Sequence, residues 1–429
     1  ILEKGDNMQY TKKDLGSYNL HFIKTNNYKT ITIKIYFRER IDKDIVTKRN
    51  FLNDMLFLSC KDYPTRREMT LKAQDLYAAT VNCRSRRLGN YFDTVYTLKV
   101  LNDKYTEEGN FKECLSFFSS ILLNPNVIDN AFTENDFKVV YSRMKSNIES
   151  LEDDKARYAT VRLLDEIDKD SSVSIRQVGY LEDLEKITKE NLYDYYLYMI
   201  NHDLIDIFVL GDIDVDSVKE MVEDTFNINT FKKKSDDLHL NVCERKKTKY
   251  VEELVDAKQS QLAIALSLKD LTLYERNYPL TLYNIILGGG ENSLLFQEVR
   301  EKSSLAYYIG SSPNKCDDLI LIRSGVTPTK EDKALDLIKK QIKKLKKGDF
   351  TDSDIVKAKE YFTTALDDML ESPLEIIDCY YMMEVLGVDD FKTKREKMLM
   401  VTKDEILAVA NKVSLHTVFC LKGVNNEEN

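Results

Sequence analysis

From Tyr28 to Phe37 apolar and polar residues alternate. Ile31, Ile33, Ile35 and Phe37 fall on one side, and Thr30, Thr32, Lys34 and Tyr36 on the other. A period of two predicts a half-buried strand. Helical spacing follows over Asp44–Leu58 and again over Arg66–Ala79, and Tyr91–Leu101 returns to alternation. Phe111–Leu123, a long stretch from about Glu134 to Asp168, and Leu192–Ile200 carry the helical period. Asp206–Leu210 is a short apolar strand stopped by Gly211-Asp212.

The second half replays this order. Gln261–Leu268 reads as a strand and Tyr278–Leu287 as a helix, with Pro279 in the first turn, where a missing N–H costs little. Gly288-Gly289-Gly290 is expected to stop that helix, because glycine takes left-handed angles freely. Ser293–Lys302 reads as a helix, and Leu305–Ser311 and Leu319–Ser324 as strands. Helices follow over Asp332–Lys347 and Asp352–Leu370, and Thr417–Leu421 is a closing strand before Gly423. The run from Ile207 to Asp212 matches that from Thr417 to Gly423 in character. Two homologous α/β domains, 1–230 and 231–429, are therefore expected, as an internal duplication rather than a short-period solenoid. The linker falls at about Asn227–Lys249, rich in Lys, Asp, Asn and Ser and poor in periodic apolar residues.

Composition narrows the class. The 429 residues are 43% hydrophobic and 31% charged, a balance that supports a real core in a soluble globular chain. Lys plus Arg is 63 and Asp plus Glu is 72, giving a net charge of −9, which argues against general nucleic-acid binding. The stretch Ile1–Leu20 is polar and mixed in charge, unlike a secretory leader. No run reaches the ~18 apolar residues of a membrane span. The seven cysteines (Cys60, Cys83, Cys114, Cys243, Cys316, Cys379 and Cys420) are odd in number, scattered, and never in a C-x-x-C pair. They read as free thiols of a reducing cytoplasm.

Candidate chemistry is sparse. The four histidines, His21, His202, His239 and His416, never lie within a helical turn of one another. No H-E-x-x-H or H-x-x-E-H motif exists to hold zinc and activate water. No Ser/His/Asp or Cys/His arrangement is readable. Gly288–Gly290 lacks the G-K-[ST] ending of a phosphate loop. Lys339–Lys347 reads as a solvated helix face with cations near the C-terminal end, where the dipole favours them. Tyr380-Tyr381-Met382-Met383 reads as core or interface.

One helix nevertheless has a recognisable pattern. Asn50-Phe51-Leu52-Asn53-Asp54-Met55-Leu56-Phe57 resembles the H-F-L-E-H-M-L-F helix of the insulinase/pitrilysin family of zinc peptidases. The apolar positions agree and the chemical ones do not. Asn50 and Asp54 stand at the two histidine positions, and Asn53 at the general-base glutamate. The family's third ligand is a glutamate in a later helix, and the matching segment Asp136–Arg143 places Arg143 there. Asn50, Asn53 and Asp54 would share one helical face. An amide is a weak zinc ligand and cannot take a proton from water.

The second half carries the family's other signature. Gly288–Gly290 followed by Ser293–Tyr307 resembles its glycine-rich stretch and S-x-L-F-x-x-V-R-E-K-x-G-L-A-Y, with Ser304 in place of the usual glycine. In the family the Arg and Tyr of this segment contact substrate, which assigns that role here to Arg300 and Tyr307, beside the Gly288, Gly289 and Gly290 loop. Segments Gln74–Thr80, Asp153–Leu164, Leu192–Tyr196 and Leu210–Asp214 are similar to the non-catalytic YmfF-type bacterial members.

The resemblance spans nearly the whole chain. It implies an α+β fold like that of mitochondrial processing peptidase, with two homologous domains, each a mostly antiparallel sheet with helices packed on one face. It implies an inactive peptidase homologue with no metal or cofactor of its own. Zinc would sit in a homologous partner of a cytoplasmic heterodimer (or a homodimer would form), with an unfolded peptide as substrate, no nucleic acid and no membrane. It also implies an association with elongation factor P modification. The alternative is a structural scaffold that never touches peptide.

Overall fold

The computed structural model describes residues 8–228 and 245–424. These fall into two compact units, one of residues 8–149, 176–228 and 370–381, the other of 150–175, 245–369 and 382–424. His239, Cys243 and most of the expected linker lie outside the described residues.

The first unit is built on β1 (Gln9–Asp14), β2 (Asn19–Lys24), β3 (Thr30–Arg40), β4 (Thr80–Leu88) and β5 (Tyr91–Leu101). A small hairpin follows, of β6 (Val127–Ile128) and β7 (Ala131–Phe132), and then β8 (Leu204–Gly211). The sheet order is β1-β2-β8-β3-β5-β4. Only β2 and β8 run parallel, and the other pairs are antiparallel. The second unit has β9 (Lys249–Asp256), β10 (Ser260–Leu268), β11 (Ala306–Asn314), β12 (Leu319–Val326) and β13 (Val413–Val424), in the order β11-β12-β10-β13-β9. Here too a single pair, β9 with β13, is parallel. Five strands of one sheet thus map onto five of the other: β2 on β9, β8 on β13, β3 on β10, β5 on β12 and β4 on β11. This shared topology is the structural form of the expected repetition, and β8 and β13 are the two strands whose likeness is visible in sequence.

In the first unit Ile31, Ile33, Ile35 and Phe37 face a layer of helices. Phe51, Leu52 and Met55 meet them from the helix Lys43–Leu56, and Phe117 and Phe118 from the helix Asn110–Leu123. Each such buried side chain contributes about 1.5–3 kcal/mol. In the second unit Leu262, Ile264 and Leu266 face the helices Pro279–Gly288 and Glu331–Lys346 in the same way.

The opposite sheet faces differ from a half-buried reading. Thr32, Lys34 and Tyr36 are buried, not solvated. The segment Pro373–Tyr381 covers them. Lys34 Nζ donates to Leu374 O at 2.9 Å and pairs with Asp378 at 2.8 Å. The Tyr36 hydroxyl donates to Asp378 at 2.6 Å, and its ring stacks on Tyr381 with centroids 3.7 Å apart. In the second unit the helix Lys155–Asp165 plays this part, with Ala159 and Leu163 against Ala263 and Ala265. Its Arg162 pairs with Glu253 of β9 at 2.7 Å. Among the described residues, each sheet therefore carries its main helical layer on one face and a smaller helical segment on the other.

The helix expected from Glu134 to Asp168 is two helices, Glu134–Glu149 and Lys155–Asp165, separated by a turn of 3-10 helix at Ser150–Glu152. Asp154 caps the second one by accepting from Arg157 N, a local preference that outweighs the continuous apolar period. A single cut between 230 and 231 therefore differs from the compact units, which place 150–175 with the second sheet and 370–381 with the first. Among the described residues no helix is long and apolar enough to cross a membrane.

Candidate functional site

The helix Lys43–Leu56 starts at Asp42, whose carboxylate accepts from Asp44 N, and buries Val46, Phe51, Leu52, Met55 and Leu56. This fixes where its polar positions point. Asn50 donates from Nδ2 to Gln177 O at 2.7 Å. Asn53 is buried and bonded at both ends of its amide: Nδ2 donates to Ser85 Oγ at 2.9 Å, and Oδ1 accepts from the Tyr96 hydroxyl at 2.6 Å. Ser85 in turn meets Thr94 at 3.1 Å. Asp54 is half-buried. Burial pushes its carboxyl above the ordinary value, against the pull of Arg143. Arg143 is exposed on the helix Glu134–Glu149, which is held alongside by Phe51 stacking on Phe137 at 4.8 Å. The structure thus gathers the four sequence-predicted positions on adjoining helices of one unit.

Arg300 lies on a π-helical turn, Phe296–Glu301, in the second unit. Its guanidinium sits over the Phe296 ring at 4.7 Å and approaches Glu301 at 3.8 Å, and the side chain is exposed. Leu305 N donates to Val299 O at 3.1 Å and Ser304 N to Arg300 O at 3.0 Å, so the turn folds directly back into β11. Tyr307 is 55% exposed. The register of β11 against β12 shifts between Ala306 and Tyr308, which makes Tyr307 the extra residue of a bulge. A bulge re-aims the side chain it carries. The next residue, Tyr308, instead donates to Gln261 Oε1 at 2.6 Å. Sequence reasoning missed this bulge, because it depends on the partner strand.

Similarity to known proteins follows these features. Residues 186–362 match the family described as Peptidase M16 inactive domain. A Bacillus subtilis (strain 168) protein named "Probable inactive metalloprotease YmfF" is 27% identical over 420 residues, 96% of this chain and 97% of its own. The chain is therefore similar to the insulinase-like M16 peptidases, and within them to proteins named as inactive. The same bacterium's "Uncharacterized zinc protease YmxG" is 28% identical over 54% of this chain and 52% of its own length. A conserved protein from Enterococcus faecalis V583 shares the fold at a TM-score of 0.90 and 24% identity, covering 98% of this chain and all of its own. An M16 inactive domain from Pseudomonas fluorescens does so at 0.79 and 14%, covering 97% and 98%.

The zinc that the M16 fold implies does not fit the residues present. Both ends of the Asn53 amide are already committed to Ser85 and Tyr96. Asn50 offers an amide already spent on Gln177 O, and the charge of Arg143 already acts on the one carboxylate of the four, Asp54. A dication beside that guanidinium would be repelled, and an amide cannot serve as general base. Among the described residues no group of three His, Cys, Asp or Glu side chains could hold a metal ion.

The glycine loop works by another cause than left-handed backbone. Gly288, Gly289 and Gly290 are absent from the positive-φ positions, and Gly289 caps the helix at φ −83°. Gly288 and Gly289 are small because neighbours come close. A Cβ on Gly288 would stand 2.9 Å from Ser311 N, and one on Gly289 2.7 Å from Ile285 Cα. The left-handed residue is Ser304, at φ 50°, where the family carries glycine. Such a conformation costs a non-glycine residue roughly 1–2 kcal/mol, against about 0.5–1 for glycine's extra chain entropy. Ser304→Gly is therefore expected to raise stability by about 0.5–1 kcal/mol. The check is a higher urea midpoint at unchanged slope.

Proposed function

We propose that this chain is the peptide-binding, non-catalytic subunit of a heterodimer whose other member is a zinc-bearing M16 homologue. The observation that carries the reading is the outward presentation of Arg300 and Tyr307, on a π-helical turn and a bulge that follow one another. A cation and a phenol so placed suit a peptide carbonyl, which accepts from both. The poor fit of Asn50, Asn53, Asp54 and Arg143 to zinc is what supports placing the chemistry in a partner. Bacillus subtilis, which has the similar YmfF-named protein, also has a similar chain named as a zinc protease, so the two kinds coexist in one cell. The family resemblance extends the proposal to a cytoplasmic role beside elongation factor P modification.

Co-expression with the zinc-bearing homologue of the same genome tests this. A one-to-one complex is expected, and cleavage of an unfolded peptide should need both chains. Arg300→Ala should lower kcat/KM of the pair about 10- to 100-fold, the loss of a charge-assisted hydrogen bond of about 1.5–3 kcal/mol. If no complex forms, the heterodimer reading fails. If the complex cleaves equally well with Arg300→Ala, the chain is a scaffold.

A further inference from the structure

The turn that carries Arg300 lies beside a lysine-rich helix. The π-helical turn Phe296–Glu301 packs on the helix Glu331–Lys346. Between Lys339 and Lys347 lie six lysines and no acidic residue, in a chain whose net charge is −9. The helix dipole accounts for cations in a last turn, here Lys343, Lys344 and Lys346. It does not account for Lys340, one turn earlier, or for Lys302, on another element.

Placement joins them. Lys302 donates to Glu298 at 2.7 Å, and the charges of Lys344 and Lys340 on the packed helix act on the same carboxylate. The Lys302 hydrogen bond first, and then the charges of Lys302, Lys344 and Lys340, hold the Glu298 carboxyl below its ordinary range. Arg300 stands two residues further on. Lys302, Lys340, Lys343 and Lys347 are all exposed. Glu298 and Glu301 offset only part of the positive charge around Arg300.

We propose that this lysine stripe selects peptides whose residues flanking the Arg300 contact are acidic. The inference rests on the peptide-binding reading and adds a substrate class to it. An extended acidic segment lying along the Glu331–Lys346 helix would meet Lys340, Lys344 and Lys347 in succession, since residues three and four apart share a helical face. The attraction acts between exposed groups, so it speeds encounter and is screened by salt within about 10 Å at 0.1 M.

The test is fluorescence anisotropy of the full chain with three matched unstructured peptides. They share length and apolar positions and differ only in carrying Glu, Gln or Lys at the remaining sites. The Glu peptide is expected to bind about tenfold tighter than the Gln peptide near 50 mM salt, with the advantage gone by about 0.5 M. Lys340→Glu with Lys344→Glu should erase the advantage and leave the Gln peptide's affinity in place. The milder Lys340→Gln with Lys344→Gln should reduce it if the reversal perturbs folding. Lys61→Glu with Lys112→Glu makes the same change of net charge in the other unit and should leave it intact. Equal binding of Glu and Gln peptides, or an equal loss in the Lys61/Lys112 variant, overturns the acidic preference alone. Failure of all three peptides to bind overturns the peptide-binding reading beneath it.

Discussion

Arg49→Ala is expected to remove about 3–5 kcal/mol of stability, the cost of breaking a buried ion cluster from one side. Arg49 is fully buried on the helix that carries the degenerate motif. Its Nη2 lies 2.9 Å from Glu39 and also donates to Asp203, and Nε donates to Glu39 at 3.1 Å. The guanidinium sits over the Tyr195 ring at 5.6 Å, and the Tyr195 hydroxyl donates to Glu39. Burial works against its charge, yet Asp203, Tyr195 and Glu39 outweigh burial and hold the guanidinium above its ordinary value. Without the arginine, the Glu39 and Asp203 carboxylates would lose the cation they share. Arg49→Lys keeps the charge but loses the fork, and should lose less. The chain has no tryptophan, so urea unfolding is followed by circular dichroism and tyrosine fluorescence. A loss under about 1 kcal/mol for Arg49→Ala would show that the cluster is held by packing and not by its charges.

The same helix shows what was legible beforehand. Its apolar pattern and the altered positions Asn50, Asn53 and Asp54 were plain in sequence. Their present employment was not, because the partners Ser85, Tyr96 and Gln177 lie on segments far along the chain. The same limit applies to β3. Alternation identified Ile31, Ile33, Ile35 and Phe37 as core, but Lys34 and Tyr36 looked solvated. They are covered by a segment some 340 residues later, which no local period reports. Strand β4, with Arg84, Arg86 and Arg87, escaped notice for a related reason. It is a sheet edge, and edges favour charge over apolar alternation. The repetition of strand order, by contrast, was legible because each half keeps its own apolar code for the strands next to the sheet centre.

Acid should weaken the second unit through His416 before the carboxylates titrate. His416 lies on β13, 2% exposed, with Nδ1 2.8 Å from Thr417 Oγ1. Burial first, and the Arg245 charge second, press its pKa down to about 4, with Asp168 acting the other way. The unfolded chain binds the proton near pH ~6.5. Between those values the unfolded state holds more protons than the folded one, so stability falls as pH drops from about 6.5 towards 4 and is unaffected by this group above about 7. The shift corresponds to at most about 3.4 kcal/mol, and about 2–3 is expected. The reduction reflects screening, because the ring borders an open polar hollow lined by Glu166, Asp168, Lys169, Arg245 and Lys249. Glu166, held low chiefly by its Lys249 hydrogen bond, loses its contribution only below the unfolded carboxylate value of about 4.3, so the two windows separate. His416→Gln should flatten the urea midpoint between pH 7 and about 5 while leaving the steeper loss below it. An unchanged slope in that variant would mean that the proton is taken up elsewhere. A neutral imidazole kept beside Arg245 would then contribute packing to this strand and nothing to its pH response.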